Sequence, residues 1–347
     1  MRRREVTGLG LVLSALALGT PTAPLTAERP PHDVVREVEA PVLTFPTGLA
    51  VAADGGVWIA STYADRLVRF DPATGAARTI RLPQRTHPVG LLADARGAIW
   101  YAGSGLGLVA RLEPDGTTVR EFAIPSIVTA KFAIPSPWSL ATDPVGGQVW
   151  FTVHSDGIVA RVPADAQPIR RSFVVTELKL GGPEVRPDGI AVDGRGVVWV
   201  AELGVDRLAR IDPRSGVSRV ELPPGSRPRG VGAAPDGAIW VTLFARHELL
   251  RVDPVSLATR SWPMPAGRVS HPDAIVVDRA GAVWVSELSA NRIARFEPGR
   301  ERFTEFPLPT SRSGVRALAV DAQGRVWFVG SYSGRLGVIE PASVPRR

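Results

Sequence analysis

Pro187 to Pro213 reads PDGIAVDGRGVVWVAELGVDRLARIDP. Two short apolar runs, GIAV (189–192) and VVWVAE (197–202), are joined by the turn Asp193-Gly194-Arg195-Gly196, and a third, RLARI (207–211), stops at Asp212-Pro213. Small, β-branched and aromatic residues alternate at period 2 between Gly, Pro and Asp. That is strand and hairpin patterning, whereas a helix would repeat its apolar positions every three to four residues.

The same pattern recurs along the chain, and tryptophan marks it. Trp58, Trp100, Trp150, Trp199, Trp240, Trp284 and Trp327 are spaced by 42, 50, 49, 41, 44 and 43 residues, which makes seven copies. Each copy opens on a lead-in such as Pro46-Thr47-Gly48, Pro88-Val89-Gly90, Pro187-Asp188-Gly189 or Pro228-Arg229-Gly230. An Asp/Gly turn, the Trp strand and a third strand follow, the third often ending in Asp-Pro or Glu-Pro, as at Asp71-Pro72, Asp253-Pro254 and Glu297-Pro298. ARTIRLP, TVREFAIP, SRVELP and RFTEFPLP then read as fourth strands. Four antiparallel strands in about 40 to 45 residues make a propeller blade, so the predicted fold class is all-β, a seven-bladed β-propeller. The tryptophans are expected to pack between blades.

Only six residues follow Glu340-Pro341, so the last blade lacks a fourth strand, and residues 34–42, VVREVEAPV, resemble the missing one. They are expected to pair with the third strand of blade 7, closing the ring and removing an exposed edge. Two links are long: FAIPSIVTAKFAIPS (122–136) before blade 3 and SFVVTELKLGGPEV (172–185) after it. Both run into a first strand and so belong to the same face.

Residues 1–27 read as a secretion signal: Arg2, Arg3 and Arg4 precede the apolar run VTGLGLVLSALALG and small residues through Thr26-Ala27. The expected organisation is signal peptide 1–27, exported linker 28–33, propeller 34–342 and tail 343–347. An exported protein, periplasmic or extracellular, follows; both Sec and twin-arginine routes remain open. No later run of 18 apolar residues suggests a membrane span. The chain has no cysteine, which excludes disulfides, thiolate metal sites, cysteine nucleophiles and a lipoprotein anchor. The formal charge of +7 falls to +5 without Arg2, Arg3, Arg4 and Glu5. The arginines are dispersed one or two per repeat with no basic run, so no nucleic-acid partner is expected, and a monomer is.

In a blade, the start of strand 1 and the end of strand 2 lie at one end, and strand 1 lines the central channel. The residues after the lead-in prolines, or at the equivalent place, are Thr47, Val89, Trp138, Asp188, Arg229, Asp273 and Arg316. Three past each Trp stand Ser61, Gly103, Val153, Glu202, Leu243, Glu287 and Gly330, with His154 one further on. Both sets are expected at one mouth, with His87 and His271 just before their prolines. Asp188, Glu202, Asp273 and Glu287 could hold a hard divalent cation, magnesium or calcium, through oxygen. Alternatively, Glu202 or Glu287 could do acid/base work at a raised pKa. The competing reading is a structural ion network with Arg229 and Arg316. Arg229, Arg316, His154, His271 and Trp138, with Asp188 and Asp273, are the candidate ligand-binding residues. No Walker loop, HExxH, GxSxG or paired CxxC occurs.

At WVAELGVDRLARI (199–211) and WVSELSANRIARF (284–296) the chain resembles the virginiamycin B lyase family, whose blades repeat W-F-T-E-x-x-x-N-K-I-G-R. The resemblance covers residues 34–341 and implies a seven-bladed propeller. In the lyase itself it implies a magnesium ion and a histidine base that open a cyclic depsipeptide by elimination across its ester C–O bond. That family's functional histidines follow prolines at the lead-ins of the last two blades, in P-H-[AG]-I. Here Asp273 and Arg316 stand there, in Pro272-Asp273-Ala274-Ile275 and Val315-Arg316-Ala317-Leu318. The stretches matching its metal-binding glutamates, Ser313-Gly314 and Phe328-Val329-Gly330-Ser331, hold no carboxylate. Pro187-Asp188-Gly189-Ile190 with Trp199-Val200-Ala201-Glu202 also resembles repeats of six-bladed gluconolactonase-like propellers, which use a divalent metal, although seven repeats argue against membership. The expected function is binding of a small molecule, glycan or peptide at the channel mouth, with the lyase's catalytic residues missing. The alternative is a metal-assisted lyase or lactonase acting on a cyclic ester.

Overall fold

The computed structural model describes residues 34–38, 43–128, 134–145, 147–168 and 174–340. The proposed signal peptide, linker and tail lie outside the described residues. Seven four-stranded antiparallel sheets follow one another, as the repeat predicts. The first strands are Pro46–Val51, Pro88–Ala93, Pro137–Thr142, Pro187–Val192, Pro228–Ala233, Pro272–Val277 and Val315–Val320. Among the described residues the only helical elements are short 3-10 turns, and no helix is long and apolar enough to cross a membrane.

The N-terminal strand Val35–Val38 pairs antiparallel with Arg335–Ile339, the third strand of blade 7, from Val35 opposite Ile339 to Val38 opposite Leu336. It makes the outer strand of that sheet, so the ring closes as expected. Glu37 accepts the Thr310 backbone N–H (3.1 Å) and hydroxyl (2.6 Å), which ties the strand to the link from blade 6.

The core is divided among the blade interfaces. Period-2 alternation gives each Trp strand two buried faces: Trp199 and Ala201 pack against blade 5, while Val198 and Val200 pack against blade 3. Seven such clusters fill the seven junctions, each with one marker tryptophan. All seven tryptophans are buried. In blades 2, 4, 6 and 7 the indole N–H donates to the Asp six residues earlier, as from Trp100 to Asp94 at 2.9 Å. The other oxygen of that Asp accepts the turn's backbone N–H groups, so one side chain both shapes the turn and satisfies the buried indole.

One reading needs revision. The segment after blade 3 is not merely a lengthened link, because Thr176–Lys179 within it is that blade's fourth strand.

Candidate functional site at the channel mouth

The channel is lined by the starts of all seven first strands, and Thr47, Val89, Trp138, Asp188, Arg229, Asp273 and Arg316 all take part. These strands pack tightly. A Cβ on Gly189 would lie 2.1 Å from the Arg229 carbonyl oxygen of the next blade, which explains the glycine in the lead-in. A register shift in each first strand sets the residue after the proline out of the regular ladder, for example between Pro187 and Ile190.

Charge is confined to one side of this ring. Arg229 bridges Asp188 (3.2 Å) and Asp273 (3.1 Å), and Arg316 contacts Asp273 at 3.3 Å. Blades 4 to 7 therefore alternate acid and base, whereas blades 1 to 3 present Thr47, Val89 and Trp138. Burial opposes the Arg229 charge, but Asp273 and Asp188 together raise its pKa above the usual value. Burial also raises the Asp273 carboxyl, with the Arg229 and Arg316 guanidiniums pulling against it.

The expected second ring does not form. Glu202 and Glu287 are fully buried but are absent from the channel and mouth linings. Alternation is the reason: Glu202 shares the face of Val198 and Val200, which points between blades 3 and 4. It pairs there with Arg207 and, at 3.0 Å, with Arg219. Glu287 shares the face of Val283 and Val285, accepts the Ala266 N–H at 3.3 Å, and lies close to Glu305. Burial, reinforced by the Glu305 charge, pushes Glu287 up to about 7, while the Ser270 hydroxyl works in the other direction. Ser61, Val153 and Leu243 are likewise buried between blades.

The residue one further on, four past the Trp, is the one that faces the mouth. His154, Leu203 and Phe244 line a cavity of about 430 Å³ above the channel, together with Phe45, Thr47, Ser136, Trp138, Asp188, Arg229 and Arg316, and with Arg186 and Arg227. Of the proposed ligand-binding residues, Trp138, His154, Asp188, Arg229 and Arg316 meet in this cavity. Asp273 lines the channel below it. His271 is set aside, its ring 4.9 Å from Phe244 and 4.6 Å from His247. Its backbone N–H donates to His247 Nδ1 at 3.3 Å.

Sequence reasoning missed Phe45, Ser136, Arg186 and Arg227, although their signal was present: each directly precedes a lead-in proline, the place already noted for His87 and His271. Phe45, His87, Arg186, Arg227 and His271 all have left-handed backbones, with φ between 44° and 50°. Side chains of the preceding blade pin two of these corners. Asp65 accepts the N–H of Arg85 and of His87, each at 2.8 Å. Asp206 accepts that of Gly225 at 2.8 Å and of Arg227 at 2.7 Å.

His154 packs against Trp138, ring centroids 6.0 Å apart, and its Nε2 accepts a hydrogen bond from Arg186 Nε at 3.2 Å. Burial lowers the His154 pKa, an effect the Asp188 charge only partly opposes, so the imidazole is neutral at pH 7 and free to accept that bond. The donor set does not suit the magnesium ion that the resemblance implies, because both channel carboxylates are taken by guanidiniums. Among the described residues no group of three or more His, Cys, Asp or Glu side chains could hold a metal ion.

The profile of the virginiamycin B lyase family matches residues 136–344. No curated protein matches the chain. A streptogramin B lyase structure superposes with a TM-score of 0.78 at 20% identity, covering 88% of this chain and 96% of that one. A virginiamycin B lyase from Staphylococcus aureus gives 0.77 at 19%, over 88% and 98%. The extracellular domain of a putative one-component system from B. thetaiotaomicron gives 0.66 at 18%, over 87% of this chain and 41% of that one. With a family match over more than half its length and seven four-stranded blades, this chain belongs to the virginiamycin B lyase family.

Proposed function

We propose that this protein is an exported propeller that binds a small molecule, glycan or peptide at the channel mouth and does not linearise streptogramins. The observation that carries this reading is the mouth cavity of about 430 Å³, a volume suited to a small ligand, with Phe45, Trp138 and Phe244 beside fixed polar groups. Asp273 and Arg316 occupy the positions where the resemblance places histidines, and each is held in the ion network. Export rests on the arginine-led apolar leader at residues 1–27, and a structural relative described as an extracellular domain is compatible with it.

The competing reading, a metal-assisted lyase or lactonase, would draw only Asp188 and Asp273 from its four carboxylates, since Glu202 and Glu287 lie between blades. The test has two arms. Incubation of the purified protein with a streptogramin B and magnesium, followed by mass spectrometry, should show the ring intact, and linearisation would overturn the proposal. Calorimetric titration with magnesium and with calcium should show no heat of binding. A saturable magnesium or calcium isotherm lost in Asp188→Asn would favour the metal enzyme.

A further inference from the structure

The four arginines of the mouth cavity fall into two pairs. Arg229 and Arg316 are matched by Asp188 and Asp273, so that half of the site is neutral. Arg186 and Arg227 have no carboxylate. Arg227 is exposed, and its guanidinium has no hydrogen-bond or ion-pair partner among the described residues. Arg186 spends only its Nε, on the neutral ring of His154. Both stand at left-handed positions before a proline, φ 48° and 47°, where a non-glycine residue is strained. The same corner recurs at Phe45, His87 and His271, so it belongs to the repeat, and neighbouring groups hold it in place. Asp206 supplies that hold for Arg227, and Leu203 N–H donates to the Arg186 carbonyl at 3.2 Å.

The opposite side of the mouth is aromatic and exposed. Among the described residues the exposed large apolar side chains include only two aromatic ones, Tyr63 (63% exposed) and Tyr332 (57%). They flank Phe45, with ring centroids 5.0 Å and 6.0 Å from it. Phe45 lines the same cavity as Arg186 and Arg227. Arg316 donates to the Tyr332 hydroxyl at 3.0 Å with its guanidinium 5.7 Å from the ring centre, and Tyr63 stacks on Phe45, so the rings are held in place while more than half of each tyrosine stays open to a flat partner. Two guanidinium forks without an acid offer a carboxylate bidentate geometry.

We propose that the mouth selects an anionic, ring-bearing ligand, its carboxylate held by Arg186 and Arg227 and its ring face packed on the Tyr332–Phe45–Tyr63 ledge. The inference rests on the mouth being the binding site. Two sources share this chemistry, a uronate sugar and an aromatic acid, and the cavity is large enough for a disaccharide.

The test is isothermal titration calorimetry of the purified protein with digalacturonate and its neutral counterpart galactobiose, and with 3-phenylpropionate and its neutral counterpart 3-phenylpropanol. At least one acid should bind, roughly tenfold or more tighter than its neutral partner, and the acid that binds identifies the source. Arg186→Ala with Arg227→Ala should weaken that acid by roughly tenfold or more, with an unchanged far-ultraviolet circular dichroism spectrum. Tyr63→Ala with Tyr332→Ala should weaken it as well. A neutral compound binding as tightly as its acid would overturn charge selection and leave the mouth as the binding site. Acid binding that survives both the double arginine variant and Trp138→Ala would place the ligand elsewhere and overturn both readings. Failure of both acids to bind would overturn this inference alone.

Discussion

Six of the seven blades carry an arginine opposite the tryptophan, whereas in blade 7 Val338 stands across from Trp327. Trp58, Trp100, Trp150, Trp199, Trp240 and Trp284 lie directly across the ladder from Arg69, Arg111, Arg161, Arg210, Arg251 and Arg295. In four of these pairs the guanidinium sits 5.3 to 5.9 Å from the indole centre, a cation–π contact. Dispersed arginines thus serve as scaffold, consistent with the absence of any basic run. Glu287 is the residue whose burial has the clearest consequence for stability. Its carboxyl is pushed from 4.5 up to about 7 in the folded protein, so between those pH values the folded state holds a proton that the unfolded state has lost. The stabilisation is complete below pH 4.5 and disappears as pH rises through 7. Glu287→Gln should therefore gain on the order of 3 kcal/mol relative to the parent at pH 8, and little at pH 4.5, in urea melts at the two pH values. An equal effect at both would show that the Glu287 charge is not the cause. The candidate residues were legible in sequence to within one position. The residue after the lead-in proline was placed correctly, but that three past the Trp was not, since a shift of one along a strand exchanges the mouth for the blade interface.

The first strand of each blade is the element that makes the site, and hydroxyls on the second strand brace it. In blade 5 the Thr242 hydroxyl accepts the Gly230 N–H at 2.8 Å and donates to the Asp273 carbonyl of blade 6 at 2.9 Å. Thr152 plays the same part between blades 3 and 4, accepting from Ser139 N–H and donating to the Asp188 carbonyl. These hydroxyls hold the backbones of both channel aspartates. Thr242→Val keeps the shape of the side chain and leaves two buried backbone groups without partners. A loss of about 2 to 4 kcal/mol is expected, seen as a lower urea midpoint at unchanged slope. A change below about 0.5 kcal/mol would mean that water replaces the hydroxyl. The strands of most blades could be read from alternation alone. Thr176–Lys179 could not, because it sits inside a link of unusual length, whereas the equally exposed Ala77–Arg81 follows its Asp71-Pro72 corner at the usual spacing.

At the scale of the whole molecule, the ring is polarised and closed. Blades 4 to 7 supply the charged inner network, blades 7 and 1 the exposed aromatic rim, and the cavity spans from Phe45 in blade 1 to Arg227 in blade 5. The charged half could be read, because Asp188, Arg229, Asp273 and Arg316 stand at the same place in successive repeats. The aromatic rim could not, because it joins two different places in the repeat, before the lead-in proline for Phe45 and five past the Trp for Tyr63 and Tyr332. The closure could be read, because a blade one strand short and a spare strand at the other end of the chain have a single economical solution. The N-terminal strand buries Val34 (3% exposed) and Val35 (8% exposed) against blades 6 and 7. Its Arg36 pairs with Glu340 at 2.9 Å, and the Val34 carbonyl accepts the Glu340 N–H. A chain beginning at Leu43 would lose that burial and leave Arg335–Ile339 as an open edge. Burial of the two valines alone is worth about 3 to 6 kcal/mol. Relative to a chain beginning at residue 28, it should melt at least about 5 °C lower. It should also scatter more light on standing, since an unpaired strand is a template for pairing with another copy. Equal melting temperatures would show that the first strand is not what holds the ring shut. A lower melting temperature without increased scattering would mean that the edge is covered in some other way.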